Sequence, residues 1–158
     1  MATSTFSITS SAFEQNGSIP SQYTCDGDQT PPPLSISGAP EGTKSFALIV
    51  IDPDVPKQVK PDGIFLHWLL FNIPAYTTTI GPTGSIGTSG ANGMGKEGYV
   101  GPCPPKEYEP SEHRYFFHLY ALDTMLGLEA GVSEEEVRQA MEGHIVAEAQ
   151  LIGKYKKK

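Results

Sequence analysis

The chain is poor in charge, in cysteine and in tryptophan: of 158 residues only 18% are charged, two are cysteine and one is tryptophan. Two cysteines, Cys25 and Cys103, are too few for a disulfide scaffold. No apolar run approaches the roughly 20 residues that a membrane-spanning helix needs, so stable membrane insertion is not expected. The opening MATSTFSITSSAF has neither the basic segment nor the apolar segment of a secretory leader. These features predict a cytoplasmic protein, and in that compartment both cysteines are expected to stay reduced. Basic charge is also short. Eleven Lys and Arg face 18 Asp and Glu, for a net charge of -7, which opposes nucleic acid and anionic membrane surfaces. The one basic run, Lys154 with Lys156, Lys157 and Lys158, reads as a solvated tail.

What the chain has in quantity is turn formers. Seventeen Gly and 14 Pro are scattered without a period, which excludes collagen and predicts many short strands joined by shaped loops. With 38% hydrophobic residues and a length typical of one domain, residues 1–158 are expected to form a single domain around one core. Three apolar runs predict core strands: residues 45–51, ending at Asp52-Pro53-Asp54; residues 65–73, closed by Pro74; and residues 114–122. The first is a nearly unbroken apolar run and reads as buried on both faces. Weaker strands are expected at Phe6 to Ile8 and at Leu34 to Ser37. Ser133, followed by Glu134, Glu135 and Glu136, predicts a capping box, and the helix it opens should pass through Val137, Ala140 and Met141 and stop at Gly143. Beyond it, Glu148, Gln150 and Lys154 alternate with Ala147, Ala149, Leu151 and Tyr155, the pattern of a last half-buried strand. Strands with one late short helix favour an all-β Greek-key sandwich or barrel over an α/β fold. The glycine-rich stretch 81–98 lacks the Gly-x-x-x-x-Gly-Lys-Ser/Thr pattern of a phosphate-binding loop. It reads better as a long exposed loop or flap.

Four polar residues stand where strands meet proline-shaped turns. Asp52 and Asp54 flank Pro53 at the exit of a buried strand. His67 lies inside the second core strand, and His113 opens the third, shortly after Gly101-Pro102-Cys103-Pro104-Pro105. Three chemistries could use such a set. A zinc site needs ligands spaced as a local chelate, and none are. A Cys-dependent or His/Asp-assisted hydrolase could use Cys103, but prolines hem it in and no helix start is present to lower its pKa. An anion site would use protonated histidines and backbone N–H groups as donors to phosphate oxygens, with each Asp paired to a His.

In the order in which they occur, these motifs resemble the phosphatidylethanolamine-binding protein family, also called the Raf kinase inhibitor protein family, and its short bacterial and archaeal branch above all. The similar segments are Tyr23-Thr24-Cys25-Asp26-Gly27, Pro32-Pro33-Leu34, SFALIVIDPDVP at 45–56, Leu66-His67-Trp68, Phe71-Asn72-Ile73-Pro74, residues 99–105, His113-Arg114-Tyr115-Phe116, and the ending from Ala140 to Tyr155. The resemblance implies an antiparallel β-sandwich with a small anion pocket at one end. It implies that Asp52, Asp54 and His67 belong to the pocket, that Gly101, Cys103 and Pro104 form its rim, and that His113 and Tyr115 complete its wall, with Asp26 as a further candidate. It further implies a ligand such as phosphate, a phosphoethanolamine-like head group or a carboxylate anion. Finally, it implies a regulatory role toward a kinase, a protease or a signalling partner, without a catalytic cycle, cofactor or metal, and it is compatible with a homodimer. One segment departs from the pattern. Residues 106–112 contain no glycine and are expected to carry Glu107, Glu109 and Glu112 to the pocket rim, where they would disfavour a highly charged anion. Little chain follows the last strand, so no counterpart of the C-terminal helix of animal members is expected. Partners of animal members, Raf kinase included, do not transfer to this chain.

Overall fold

Three long strands form the centre of the molecule, and the middle one shows why its sequence is so uniformly apolar. The computed structural model describes residues 5–81 and 86–158. In chain order the strands are β1 (Ser7–Thr9), β2 (Gly17–Ser18), β3 (Leu34–Ser37), β4 (Ser45–Asp52), β5 (Phe65–Pro74), β6 (Thr79–Ile80), β7 (Thr88–Ser89), β8 (Glu112–Leu122) and β9 (Ile145–Lys156), and the helix α1 (Glu134–Met141) lies between the last two. The larger sheet has six strands in the order β2-β9-β8-β4-β5-β7, and the smaller has three in the order β1-β3-β6. Strand β4 sits between β5 and β8. Phe46, Leu48 and Val50 point to one face of the large sheet, where Ile8, Leu34, Ile36 and Ile80 of the small sheet meet them. Ala47 and Ile49 point to the other face, against Val137 and Met141 of α1. A strand covered on both faces must be apolar at both parities, so its sequence shows no alternation.

The last strand has the opposite arrangement and therefore does alternate. Leu151, Gly153 and Tyr155 of β9 are buried, whereas Glu148 and Gln150 are exposed. Helix α1 has the expected capping box: the Ser133 hydroxyl accepts from the Glu136 N–H at 3.2 Å, while the Glu136 carboxylate accepts from the Ser133 N–H at 3.3 Å. Gly143, at a φ of +78°, follows the end of α1, a conformation that glycine adopts without steric cost. The chain is thus mostly strand in two sheets, with one short helix, as expected.

Two features differ from the expectation. Not every pairing is antiparallel, because β2 runs parallel to β9, with Gly17 beside Gly153 and Ser18 beside Lys154. A Cβ at Gly153 would lie 2.6 Å from Ile19 and 2.7 Å from Phe13, so the crossing of residues 13–19 over β9 requires glycine there. The glycine-rich stretch is also not simply an exposed loop. Thr88 and Ser89 pair with Phe71 and Leu70 of β5, and the Gly90 and Gly93 N–H groups donate to the Leu69 and Leu66 carbonyls at 2.9 and 2.8 Å. It forms an edge laid along β5, although residues 82–85 lie outside the described residues. Among the described residues, no helix is long and apolar enough to cross a membrane.

Candidate anion-binding site

The site forms where β4 and β8 end side by side. Continuing their register past the Ile51–Phe116 pair brings the Asp52-Pro53-Asp54 turn level with His113 and Arg114. The turn closes on itself when the Asp54 N–H donates to Asp52 Oδ1 at 2.8 Å, a local bond typical of aspartate in turns. That fixes the Asp52 carboxylate so that its other oxygen meets His113 Nδ1 at 2.6 Å. Both side chains are buried, with 4% and 1% of their surface exposed. A carboxylate accepts, so His113 donates from Nδ1, and its Nε2 is a buried nitrogen with no hydrogen-bond partner.

His67 comes from the centre of β5. Its Nδ1 lies 2.7 Å from the Val100 carbonyl, and because a carbonyl only accepts, Nδ1 carries the proton and Nε2 keeps a lone pair. Burial lowers the pKa of His67 below the usual histidine value, and neither the Val100 hydrogen bond nor the Asp52 charge offsets it. The ring is neutral at neutral pH. Tyr115 packs its ring edge against His67 at 5.1 Å and stacks on His113 at 6.5 Å. Its buried hydroxyl makes no hydrogen bond of ordinary geometry. Burial first, and then the Asp52 charge, push its pKa far above the usual phenol value.

Asp52, His67 and His113 face a cavity of about 420 Å³, with Gly101, Cys103 and Pro104 on its rim. The rest of the wall is largely apolar, and Val55, Val59, Phe65 and Met94 are part of it. Sequence reasoning missed these four, along with Lys60, which also lines the cavity. Val55, Val59 and Met94 are isolated apolar residues in loops, which carry no periodic signal, and Phe65, at the start of β5, reads in sequence only as part of a core strand. The expected acidic rim is not observed: the lining stops at Pro105 in that loop and includes none of Glu107, Glu109 and Glu112. The basic side chain at the cavity, Lys60, pairs with Asp62 at 2.8 Å on the exposed surface.

Three other expected site residues do not line the cavity: Tyr115, which lies against both histidine rings, and Asp54 and Asp26, which face elsewhere. Asp54 does not pair with a histidine. Its oxygens accept from Arg114 Nη2 at 2.8 Å, Nε at 2.9 Å and the Arg114 N–H at 2.9 Å, and the Arg114 hydrogen bond is the main reason its pKa is lowered. Asp26 accepts from the Tyr155 hydroxyl, from Lys157 Nζ at 3.1 Å and from the Lys158 N–H at 3.0 Å. It is a clamp on the C-terminal residues and does not line the cavity, and the basic tail it holds is correspondingly pinned rather than free in solvent. The Tyr155 hydrogen bond first, then that of Lys158, lower the Asp26 pKa to about 2. A depressed carboxylate stabilises above its unfolded pKa, about 3.9, and loses that contribution as pH falls through its folded value. The amide signals of Lys157 and Lys158 should therefore hold their positions down to about pH 4 and move toward random-coil shifts as pH falls to about 2. Movement complete by pH 4 would show that Asp26 is not the clamp.

The two cysteines, expected to be reduced, are joined. Cys25 and Cys103, 78 positions apart in sequence, form a disulfide with their Cα atoms 5.4 Å apart. The pairing withdraws the support that cysteine usage gave to a cytoplasmic location. The Gly101 N–H, expected as a donor to an anion, is bonded to Gln29 Oε1 at 3.2 Å. A Cβ on Gly101 would come within 2.7 Å of the Tyr23 carbonyl oxygen, so the rim and residues 23–29 pack too closely for any other residue. Among the described residues, no cluster of three or more His, Cys, Asp and Glu could hold a metal ion.

A two-sheet β protein whose strand ends enclose a cavity bearing two histidines and an aspartate is a defined class. The profile of the phosphatidylethanolamine-binding protein family matches residues 9–156, and the chain belongs to that family. It is 49% identical over 155 residues to a UPF0098 protein of Methanothermobacter thermautotrophicus, an alignment covering 92% of this chain and 95% of the relative. A solved structure from Chlamydia trachomatis, described as that of a phosphatidylethanolamine-binding protein homolog, is 41% identical and superposes with a TM-score of 0.93 over 99% of this chain and all of the other. YbcL of Escherichia coli, described as a new member of the mammalian family, is 30% identical with a TM-score of 0.83, covering 97% of this chain and 99% of its own.

Proposed function

We propose that the cavity captures a small anion, phosphate or a carboxylate, and that the occupied protein modulates a partner rather than turning over a substrate. The observation that carries the binding reading is the unpartnered, buried Nε2 of His113 in a cavity wall. An unsatisfied buried nitrogen costs about 1–3 kcal/mol; as an imidazolium His113 would donate from Nε2 to an anion oxygen, and as a neutral ring it would accept there from a ligand O–H, and either bond would recover that cost. The neutral His67 adds a lone pair at Nε2 that a P–OH or a carboxylic O–H can donate to, or a proton can occupy. The apolar part of the wall has room for the body that carries the anionic head. Among the described residues no serine, threonine or tyrosine lines the cavity, and the sulfur of its one cysteine, Cys103, is in a disulfide, which weighs against a hydrolase. That the partner is a kinase, a protease or another signalling protein rests on kinship alone.

Binding should be linked to a proton, because an anion raises the pKa of a buried imidazole beside it. His67 starts below its usual value, so the complex takes up a proton near neutrality and affinity falls as pH rises. Phosphate and O-phosphoethanolamine titrated into labelled protein near pH 6 should shift the imidazole signals of both His67 and His113. The affinity should be on the order of tenfold weaker at pH 8, the limit for one linked proton being tenfold per pH unit. Saturable binding that does not change over this range would exclude histidine as the donor.

A further inference from the structure

The disulfide lies on the rim of the cavity, in a segment with few hydrogen bonds of its own. Three of the five residues 101–105 are proline and have no N–H to donate. The two remaining donors are those of Gly101 and Cys103, and the Gly101 N–H reaches the Gln29 side chain at a long 3.2 Å. The Pro102 carbonyl accepts from the Cys25 N–H at 3.1 Å. No strand includes residues 101–111, so the rim is tied to the body by these two hydrogen bonds, by the close packing of the buried Gly101, Pro102 and Pro104, and by the Cys25–Cys103 bond, its one covalent tie. One residue before the rim, Val100 exchanges two hydrogen bonds with His67: the Val100 N–H donates to the His67 carbonyl at 2.9 Å, and His67 Nδ1 donates to the Val100 carbonyl at 2.7 Å. The hydrogen bond that orients the His67 ring is therefore three residues from the sulfur staple. Tyr99, a residue earlier, donates its hydroxyl to the Tyr23 carbonyl at 2.7 Å, so residues 23–25 and 99–103 are joined at both ends.

We infer that the Cys25–Cys103 bond is a redox latch on the cavity: a dithiol reductant opens it, the rim from Val100 to Pro105 loosens, and the carbonyl that orients His67 is no longer held in place. In its effect on the anion this rests on the cavity being the binding site. The chemistry balances. A thiolate of the reductant attacks the sulfur of Cys103, which is exposed while Cys25 is half-buried. The Cys25–Cys103 bond breaks, and Cys25 leaves as a thiolate that takes up a proton. The second thiol of the reductant then displaces Cys103 from the mixed disulfide. Two electrons pass to the protein, and the reductant ends as its own disulfide. The latch acts on affinity by pre-organisation, because a rim that must be ordered on binding subtracts that ordering from the binding free energy.

The test compares full-length labelled protein in its oxidised form, after dithiothreitol, and as the Cys25→Ser/Cys103→Ser variant, with thiol counts defining each state. Reduction should shift the His67 imidazole signals and speed amide exchange at Val100 and Gly101 by at least about tenfold. It should weaken phosphate binding by about tenfold, and reoxidation should reverse all three. Unchanged His67 signals and unchanged exchange in fully reduced, folded protein would overturn the latch. If the oxidised protein binds no phosphate, the anion-site reading fails instead, and the ring signals and exchange rates alone then decide the latch.

Discussion

Asp52→Ala is expected to lower the free energy of unfolding by about 3–5 kcal/mol, the usual loss when one partner of a buried ion pair is removed. The reason is what remains behind. His113 is 1% exposed, so its Nδ1–H would stay in the interior without an acceptor, beside an Nε2 that already has none. Asp52→Asn, which keeps an oxygen facing His113, should recover much of the loss. Asp54→Ala, two residues away in sequence, is the control. Its partner Arg114 has 50% of its side chain exposed, so water replaces the lost contact and the cost should be about 1 kcal/mol or less. Urea denaturation of the three variants measures these differences directly. Equal losses for Asp52→Ala and Asp54→Ala would mean that the buried pair does not hold the strand ends together.

Phe117→Ala should cost a similar 3–5 kcal/mol for a different reason. Its side chain is 1% exposed, lies in the core between the two sheets and packs against Phe13 with ring centroids 5.7 Å apart. Large-to-small changes in such a layer lose transfer energy and leave a cavity that neighbouring strands close only in part. Tyr76→Ala, at a residue 85% exposed, should stay within about 0.5 kcal/mol of the wild type. Calorimetric or urea unfolding would show it, and a loss below about 1.5 kcal/mol for Phe117→Ala would indicate that the two sheets are coupled more loosely than the packing implies.

The long strands were legible because their burial writes a pattern into the sequence: unbroken apolar residues for β4, alternation for β9 and an acidic capping box for α1. The edges β2, β6 and β7 were not, being two residues long each and too short to show any period. At the site, Asp52, His67 and His113 were legible from their places at strand ends, and the structure brings all three to one cavity. Asp54 was misplaced because alternation past a proline turn is not defined by sequence, and the arginine that claims it sits 60 residues on. The cysteine pairing was hidden for the same reason: two thiols 78 residues apart meet only through the fold, and composition argues about compartments, not about neighbours.

The parallel contact of β2 with β9 joins residue 17 to residue 153, and the Ile19 N–H reaches the Lys154 carbonyl at 2.8 Å. During synthesis residues 17 and 18 must therefore wait for partners made 136 residues later. Until β9 emerges from the ribosome, Ile19 lacks the strand it crosses and Phe13 has only part of its packing, against Phe117 of β8, and the early chain is held chiefly by its small sheet. Completion of the large sheet is thus a late, long-range event, of the kind that leaves strand edges unpaired longest and exposes the chain most to aggregation.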